Sequence, residues 1–74
     1  MTKLSPIKPA QLIRILERLG FQKIRQKGSH IFMRHSDGHS TVVPFHKGED
    51  ISKGLLRKIL DDIELTVEQF IHLR

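Results

Sequence analysis

Three short stretches between residues 21 and 44 have the character of β-strands separated by turns, and they constrain the fold more than any other feature. The strands are predicted over residues 21–27, 29–34 and 40–44. Gly28 reverses the chain after the first strand, and Ser36-Asp37-Gly38 is a hairpin signal after the second. Pro44 has no N–H to donate, so it must end the third strand or lie on a sheet edge. The pattern predicts a three-stranded antiparallel meander.

Helical signals flank this meander on both sides. Pro9 suits a first helical position, and the leucines that follow recur at helical spacing until Gly20 ends the helix. Ser52 can cap a second helix, and Thr66 and Gln69 have the spacing of a capping box that starts a short third helix. The side chains predicted to pack inward are Leu12, Ile15, Leu16 and Leu19, then Leu55, Leu56, Ile59, Leu60 and Ile63, and finally Val67, Phe70 and Ile71.

These elements predict an α+β fold with the order α-β-β-β-α, a three-stranded antiparallel sheet and a short extra C-terminal helix. Helices on one face of such a sheet leave the other face open. The architecture resembles the double-stranded-RNA-binding fold. One fold supports many activities, so the fold alone does not give the function.

The size and composition of the chain exclude several kinds of protein. Its 74 residues predict one small domain, and the absence of cysteine excludes disulfides and thiolate metal sites. No apolar stretch reaches membrane length, and residues 1–9 contain no apolar segment of the kind found in a secretory leader. A cytoplasmic protein without a membrane partner is therefore expected.

Positive charge is concentrated in the first two thirds of the chain. Residues 1–48 carry nine Lys and Arg against two carboxylates, whereas residues 49–74 carry four against six. This asymmetry predicts that the first part meets a polyanion and the second does not. Arg57 and Lys58 in the second part have a plain interpretation as solvated helix residues, and it is preferred for Lys58. A merely solvated basic surface is the alternative for the whole pattern.

Strand alternation predicts which side chains share a face. In the first strand, Lys23, Arg25 and Lys27 should face one way and Gln22, Ile24 and Gln26 the other. In the second strand, His30, Phe32 and Arg34 share a face, which we assign to the open side because burying an unpaired arginine is costly. His30 is then expected beside the cations of the first strand, with Phe32 exposed and able to stack on a base.

His30 follows the turn Gly28-Ser29 at the end of a basic run. Imidazole exchanges protons near neutral pH, so this histidine is either part of a nuclease site or a histidine in a basic turn. No thiol or carboxylate is expected nearby, which leaves it the only credible base. A cation site formed by His35, Asp37, His39 and His46 is an alternative, but polar residues are expected at a hairpin in any case, so no metal and no cofactor is predicted.

Five segments in order resemble the HicA (YcfA-like) toxins, messenger-RNA endoribonucleases of bacterial toxin–antitoxin systems. Each segment alone is a weak signal, but five at the right separations make a specific one. They cover nearly the whole chain: Leu16-Glu17-Arg18-Leu19-Gly20-Phe21, Arg25-Gln26-Lys27-Gly28-Ser29-His30, Val43-Pro44-Phe45-His46, Gly54-Leu55-Leu56-Arg57-Lys58-Ile59-Leu60 and Leu65-Thr66-Val67-Glu68-Gln69-Phe70.

The resemblance implies a single endoribonuclease domain over residues 1–74, with His30 at the position of the family's catalytic histidine. It implies mRNA as substrate, a HicB-type antitoxin as partner, and a monomer that forms a hetero-oligomer with that antitoxin. His30 is the expected general base, and His46 is a possible second acid or base. The residues expected to contact RNA are Lys23, Arg25, Lys27, Gly28, Ser29, Phe32 and Arg34. A non-catalytic RNA-binding module of the same fold is the alternative.

Two positions depart from the family pattern. Leu55 stands where threonine is expected, and Ile63-Glu64 replaces a small residue and glycine. Both lie far from His30 in the sequence, so they are expected to affect local helix capping rather than the chemistry.

Overall fold

The computed structural model describes residues 3–74 and has the element order α-β-β-β-α-α. The predicted elements are confirmed, except that the second strand is shifted by one residue: it begins at His30, which leaves Ser29 in the turn, and it ends at His35 rather than at Arg34. The helices and strands are α1 (Pro9–Arg18), β1 (Phe21–Lys27), β2 (His30–His35), β3 (Ser40–Pro44), α2 (Lys53–Asp62) and α3 (Val67–Leu73). In this part of the chain no helix is long and apolar enough to cross a membrane.

The three strands form an antiparallel sheet in the order β1-β2-β3, and the helices cover one of its faces. Ile31 and Met33 of β2 and Val43 of β3 are buried on the helix side. His30 and Arg34 alternate with them and are exposed on the other side. The α+β fold with one open sheet face is therefore confirmed.

Apolar residues from every element form one core between the sheet and the helices. Its only buried polar residue among residues 3–74 is Thr41, whose hydroxyl donates to Asp62 Oδ2 at 3.0 Å. This bond joins β3 to the end of α2. The core residues are Ile7, Leu12, Ile15, Leu16, Phe21, Ile31, Met33, Val43, Ile51, Leu56, Ile59, Leu60, Ile63 and Phe70.

A β-bulge in β1 overturns the predicted alternation of that strand. Lys23 pairs with Met33 and Arg25 with Phe32, so Ile24 is an extra residue between two pairs. Lys23 therefore lies on the helix side of the sheet and does not share a face with Arg25 and Lys27. Ile24 lies on the open side, where it is 56% exposed and lines a depression with Gln22 and Arg34.

The end of α1 requires glycine for two reasons. Gly20 has a φ of +100°, which side chains rarely adopt, and a Cβ at this position would lie 2.8 Å from His35 Nε2. The His35 ring cannot easily move away. It packs edge-on against Phe21 with a centroid separation of 5.2 Å, and its Nδ1 accepts the backbone N–H of Asp37.

The end of α2 keeps its cap although the family's glycine is absent. The N–H of Leu65 donates to the carbonyl of Leu60 and that of Glu64 to Asp61, which is a Schellman motif. Glu64 occupies the left-handed position with a φ of 56°. The departure from the family pattern therefore does not abolish capping, but it holds a non-glycine residue in a strained conformation.

His39 connects the β2–β3 hairpin to this strained position. Its Nδ1 lies 2.9 Å from Asp37 Oδ1, and its Nε2 lies 3.0 Å from Glu64 Oε2. Only protonated His39 donates to both carboxylates, so the side-chain hydrogen bonds to Asp37 and then to Glu64 raise the pKa of His39. Hydrogen bonds from the backbone and side chain of His39 lower the pKa of Asp37.

Two glycines with the same backbone conformation test the contact beneath the end of α1. Gly20 and Gly38 have φ values of +100° and +102°, but nothing lies within 4 Å of a Cβ built at Gly38. Both Gly20→Ala and Gly38→Ala strain the backbone, and only the first also displaces His35. We expect Gly20→Ala to lower the free energy of unfolding by about 1–3 kcal/mol more than Gly38→Ala in chemical denaturation. Equal losses would contradict a packing role for Gly20.

The His39 cluster predicts a stability difference that depends on pH. A raised His39 pKa stabilises the fold below about pH 6.5, and this contribution is lost as the pH rises through the folded-state pKa. A lowered Asp37 pKa contributes above about pH 4 and is lost as the pH falls through its folded-state value. The denaturation midpoint of His39→Gln should therefore fall furthest below that of the parent between about pH 4 and about pH 6.5, where both contributions are present. Glu64→Gln should show a smaller gap in the same window, and a gap that does not change with pH would contradict the assignment.

Candidate functional site

His30 is presented by a two-residue turn between β1 and β2. Lys27 and His30 pair across the hairpin, and Gly28-Ser29 forms its tip. Gly28 has a φ of +59° while Ser29 has no positive φ, which is the pattern of a type II′ turn that needs glycine first. The turn therefore fixes His30 as the first residue of β2, exposed on the open face and in register with a cation.

A second contact holds the turn against the end of β3. The backbone N–H of Phe45 donates to the Ser29 carbonyl at 2.6 Å, so the chain beyond Pro44 follows the hairpin tip. His46 consequently reaches this region, and its Nε2 lies 3.5 Å from Ser29 Oγ. The residues 27–30 and 44–46 thus meet at one corner of the sheet, although they are separate in the sequence.

His30 and His46 line the same cleft, of about 260 Å³, between this corner of the sheet and the start of α2. The helix contributes Ser52, whose hydroxyl accepts the backbone N–H of Leu55 and caps the first turn. The cleft is lined by His30, Pro44, His46, Glu49, Asp50, Ile51, Ser52 and Leu55.

Two predictions about the surroundings of His30 are wrong. Glu49 and Asp50 line its cleft, so carboxylates do lie near it, although they follow it by about twenty residues in the chain. Leu55 lines the cleft as well, so the departure from the family's threonine falls at the site and not only on a helix cap. Neither the carboxylates nor Leu55 could be placed at the site from the sequence, because the approach of α2 to β3 is a tertiary contact between segments that are distant in the chain.

The open face beside His30 carries part of the predicted cation set. Arg25 and Lys27 of β1 and Arg34 of β2 are exposed there, whereas Lys23 is turned to the helix side by the bulge. The cations on this face therefore number three rather than the predicted four. Lys27 and Arg25 lie beside His30 and Phe32 on the neighbouring strand β1, and Arg34 follows Phe32 along β2.

Phe32 differs from its predicted state. It is half-buried rather than exposed, and the guanidinium carbon of Arg25 lies 4.5 Å from its ring centroid. This is a cation–π contact, which covers a ring face and directs the arginine across the sheet. A base that stacks on Phe32 would first have to displace Arg25 or share its position.

The four candidate metal ligands do not form a single group. His46 belongs to the His30 cleft, while His35, Asp37 and His39 lie at the opposite hairpin and bond to one another. Within residues 3–74 there is no group of three or more His, Asp or Glu side chains arranged to hold a metal ion. The hydrogen bonds of the hairpin histidines account for their position.

Comparison with known proteins gives one positive finding. A family model described as the HicA toxin of bacterial toxin–antitoxin systems matches residues 9–65. The matched range includes all three strands, the turn before His30 and the whole of α2. No curated protein matches the chain.

Proposed function

The chain belongs to the HicA toxins of bacterial toxin–antitoxin systems, and on this basis we propose that it is an endoribonuclease that cleaves mRNA without a metal ion, with His30 as general base. Residues 1–74 act as a single catalytic domain in this scheme. The observation that carries it is the position of His30: exposed, paired in register with Lys27, and lining a cleft.

The proposed chemistry uses a nucleophile that RNA itself supplies. Neutral His30 takes the proton of a 2′-hydroxyl, and the 2′-oxygen attacks the adjacent phosphorus. The bond from phosphorus to the 5′-oxygen breaks, and that oxygen leaves with a proton from a second group. The products are a 2′,3′-cyclic phosphate and a 5′-hydroxyl, so no water and no cofactor is consumed in this step.

The cations on the open face have a role in this scheme because the phosphate gains negative charge in the transition state. Lys27 is adjacent to His30 across the strands, which makes it the first choice for a contact with that phosphate. Arg25 and Arg34 are better placed to hold neighbouring phosphates along the sheet. Gly28 and Ser29 present backbone at the turn, where a bound strand would approach closely.

His46 is our candidate for the proton donor to the leaving oxygen. It lines the cleft with His30, and its ring approaches Ser29. Glu49 and Asp50 share the cleft and are competing candidates, either as acids or as groups that orient an imidazole. A histidine is preferred because its unperturbed pKa suits proton donation near neutral pH.

A HicB-type antitoxin is the proposed partner, with the toxin monomeric in its absence. The open face presents exposed Ile24 beside Arg25 and Arg34, so it offers apolar area and positive charge together. A protein surface with acidic residues around an apolar centre would fit it. Such a partner would also cover His30.

Removal of the His30 imidazole tests the proposed base. His30→Ala should lower RNA cleavage by about 10²-fold or more, the contribution typical of a general base, while binding persists. The matched control is His72→Ala, on the exposed side of α3, which should cleave like the parent. A substrate with 2′-deoxy sugars should resist both proteins.

The same assay separates the enzyme from a non-catalytic RNA-binding module. A parent protein that binds RNA and leaves it intact would favour the binding module. Equal cleavage by the parent and His30→Ala would also overturn the assignment. Chelator should leave the parent's activity unchanged, because the scheme contains no metal ion.

The proton donor is tested by comparing the three other titratable residues of the cleft. His46→Ala should slow cleavage by at least about 10²-fold and remove one limb of the pH–rate profile. Glu49→Gln and Asp50→Asn should retain that limb. A small effect of His46→Ala together with loss of the limb in either carboxylate variant would reassign the acid.

A further inference from the structure

A second basic surface lies at the first turn of α2, on the side of the helix opposite the His30 cleft. A groove of about 460 Å³ is formed where the N-terminal segment and α3 meet this helix. Its cations are Lys3, Lys53 and Arg57, all exposed, and its apolar residues Leu4 and Val67 are half-buried. The groove therefore has an apolar floor and positively charged edges.

The cations of this groove lack an ion pair of the kind that neutralises Lys58, whose Nζ lies 3.6 Å from Asp62 on the same helix. Arg74 is held in place by hydrogen bonds to Ser5 and to the carbonyl of Pro6. Lys53 and Arg57 form no salt bridge with any carboxylate in residues 3–74. Their charge is thus available although the segment as a whole is acidic.

The groove and the His30 cleft are separated by a single helical turn. Ser52 and Leu55 line the cleft, while Lys53, Gly54 and Arg57 line the groove. Gly54 lines the groove and has no side chain, and apart from its chain neighbours and the helix backbone nothing lies within 4 Å of a Cβ position there. A helix is about 10–12 Å across, which a few nucleotides can span.

We propose that the groove of Lys3, Lys53 and Arg57 is a phosphate-binding subsite for the RNA strand that crosses α2 from the His30 cleft. This inference rests on the proposed function and extends the RNA path beyond the open sheet face. It departs from the expectation that the C-terminal part of the chain does not meet a polyanion. Lys53 and Arg57 bind phosphates here and take no part in proton transfer.

The test measures RNA affinity against salt concentration in a His30→Ala background, where RNA is not consumed. Lys53→Gln/Arg57→Gln is compared with Lys58→Gln, which removes a paired cation from the same helix. The probe is a labelled single-stranded RNA of about twelve nucleotides, long enough to occupy both surfaces. Thermal unfolding of each variant checks that the fold is retained, and Lys3→Gln provides a second variant outside the helix.

The double variant should bind the RNA roughly 10- to 30-fold more weakly at about 0.1 M salt. The slope of log affinity against log salt should become less negative by about 1.4, because each lost phosphate contact on a single strand reduces its magnitude by about 0.7. Lys58→Gln should change neither quantity. With His30 present, the double variant should raise KM for long RNA and leave kcat unchanged.

Equal affinity and salt slope for the double variant and Lys58→Gln would overturn the subsite while leaving the nuclease intact. If the double variant kept its RNA affinity but bound a protein partner more weakly, the groove would be assigned to that partner, and the RNA subsite would again be overturned. A parent protein that binds no RNA would overturn the proposed function together with the subsite.

Discussion

The one-sided burial of the sheet is the constraint on which the rest of the structure depends. Side chains alternate with a period of two, so placing Ile31 and Met33 in the core forces His30 and Arg34 to the opposite face. A register shift by one residue would bury an arginine and expose the core, at a cost this small domain could not sustain. The position of the candidate base is therefore set by the same packing that stabilises the fold.

Local signals were sufficient to predict the elements and to place His30 on the open face, while its role as the base is implied by the family resemblance. Gly20 and Gly28 have positive φ values, and the Thr66 capping box forms as its spacing predicts. The bulge at Ile24 was not predictable because its apolar side chain fits the alternation of a regular strand. The carboxylates of the cleft were missed because Glu49 and Asp50 approach His30 only when α2 packs beside β3. The position of these carboxylates therefore depends on a tertiary contact rather than on local propensity.

The two basic surfaces are separated by a cleft that contains carboxylates, so positive and negative side chains occupy different parts of this small domain. Arg25 and Lys27 lie on the open face, and Lys53 and Arg57 line the groove on the side of α2 that faces away from the cleft. Glu49 and Asp50 are confined to the cleft with the two histidines. In the proposed scheme, phosphates are held at the two ends of the path, while titratable groups are concentrated where protons move. The departure at Leu55 adds an apolar wall to that cleft.

The chemical identity of the RNA ends after cleavage tests the central claim most directly, because it reports which oxygen attacked the phosphorus. Mass spectrometry of a defined RNA cleaved by the parent protein in chelator should find a 2′,3′-cyclic phosphate and a 5′-hydroxyl. Ends consisting of a 3′-hydroxyl and a 5′-phosphate would mean that water, rather than the 2′-hydroxyl, attacked. That result would contradict the role assigned to His30.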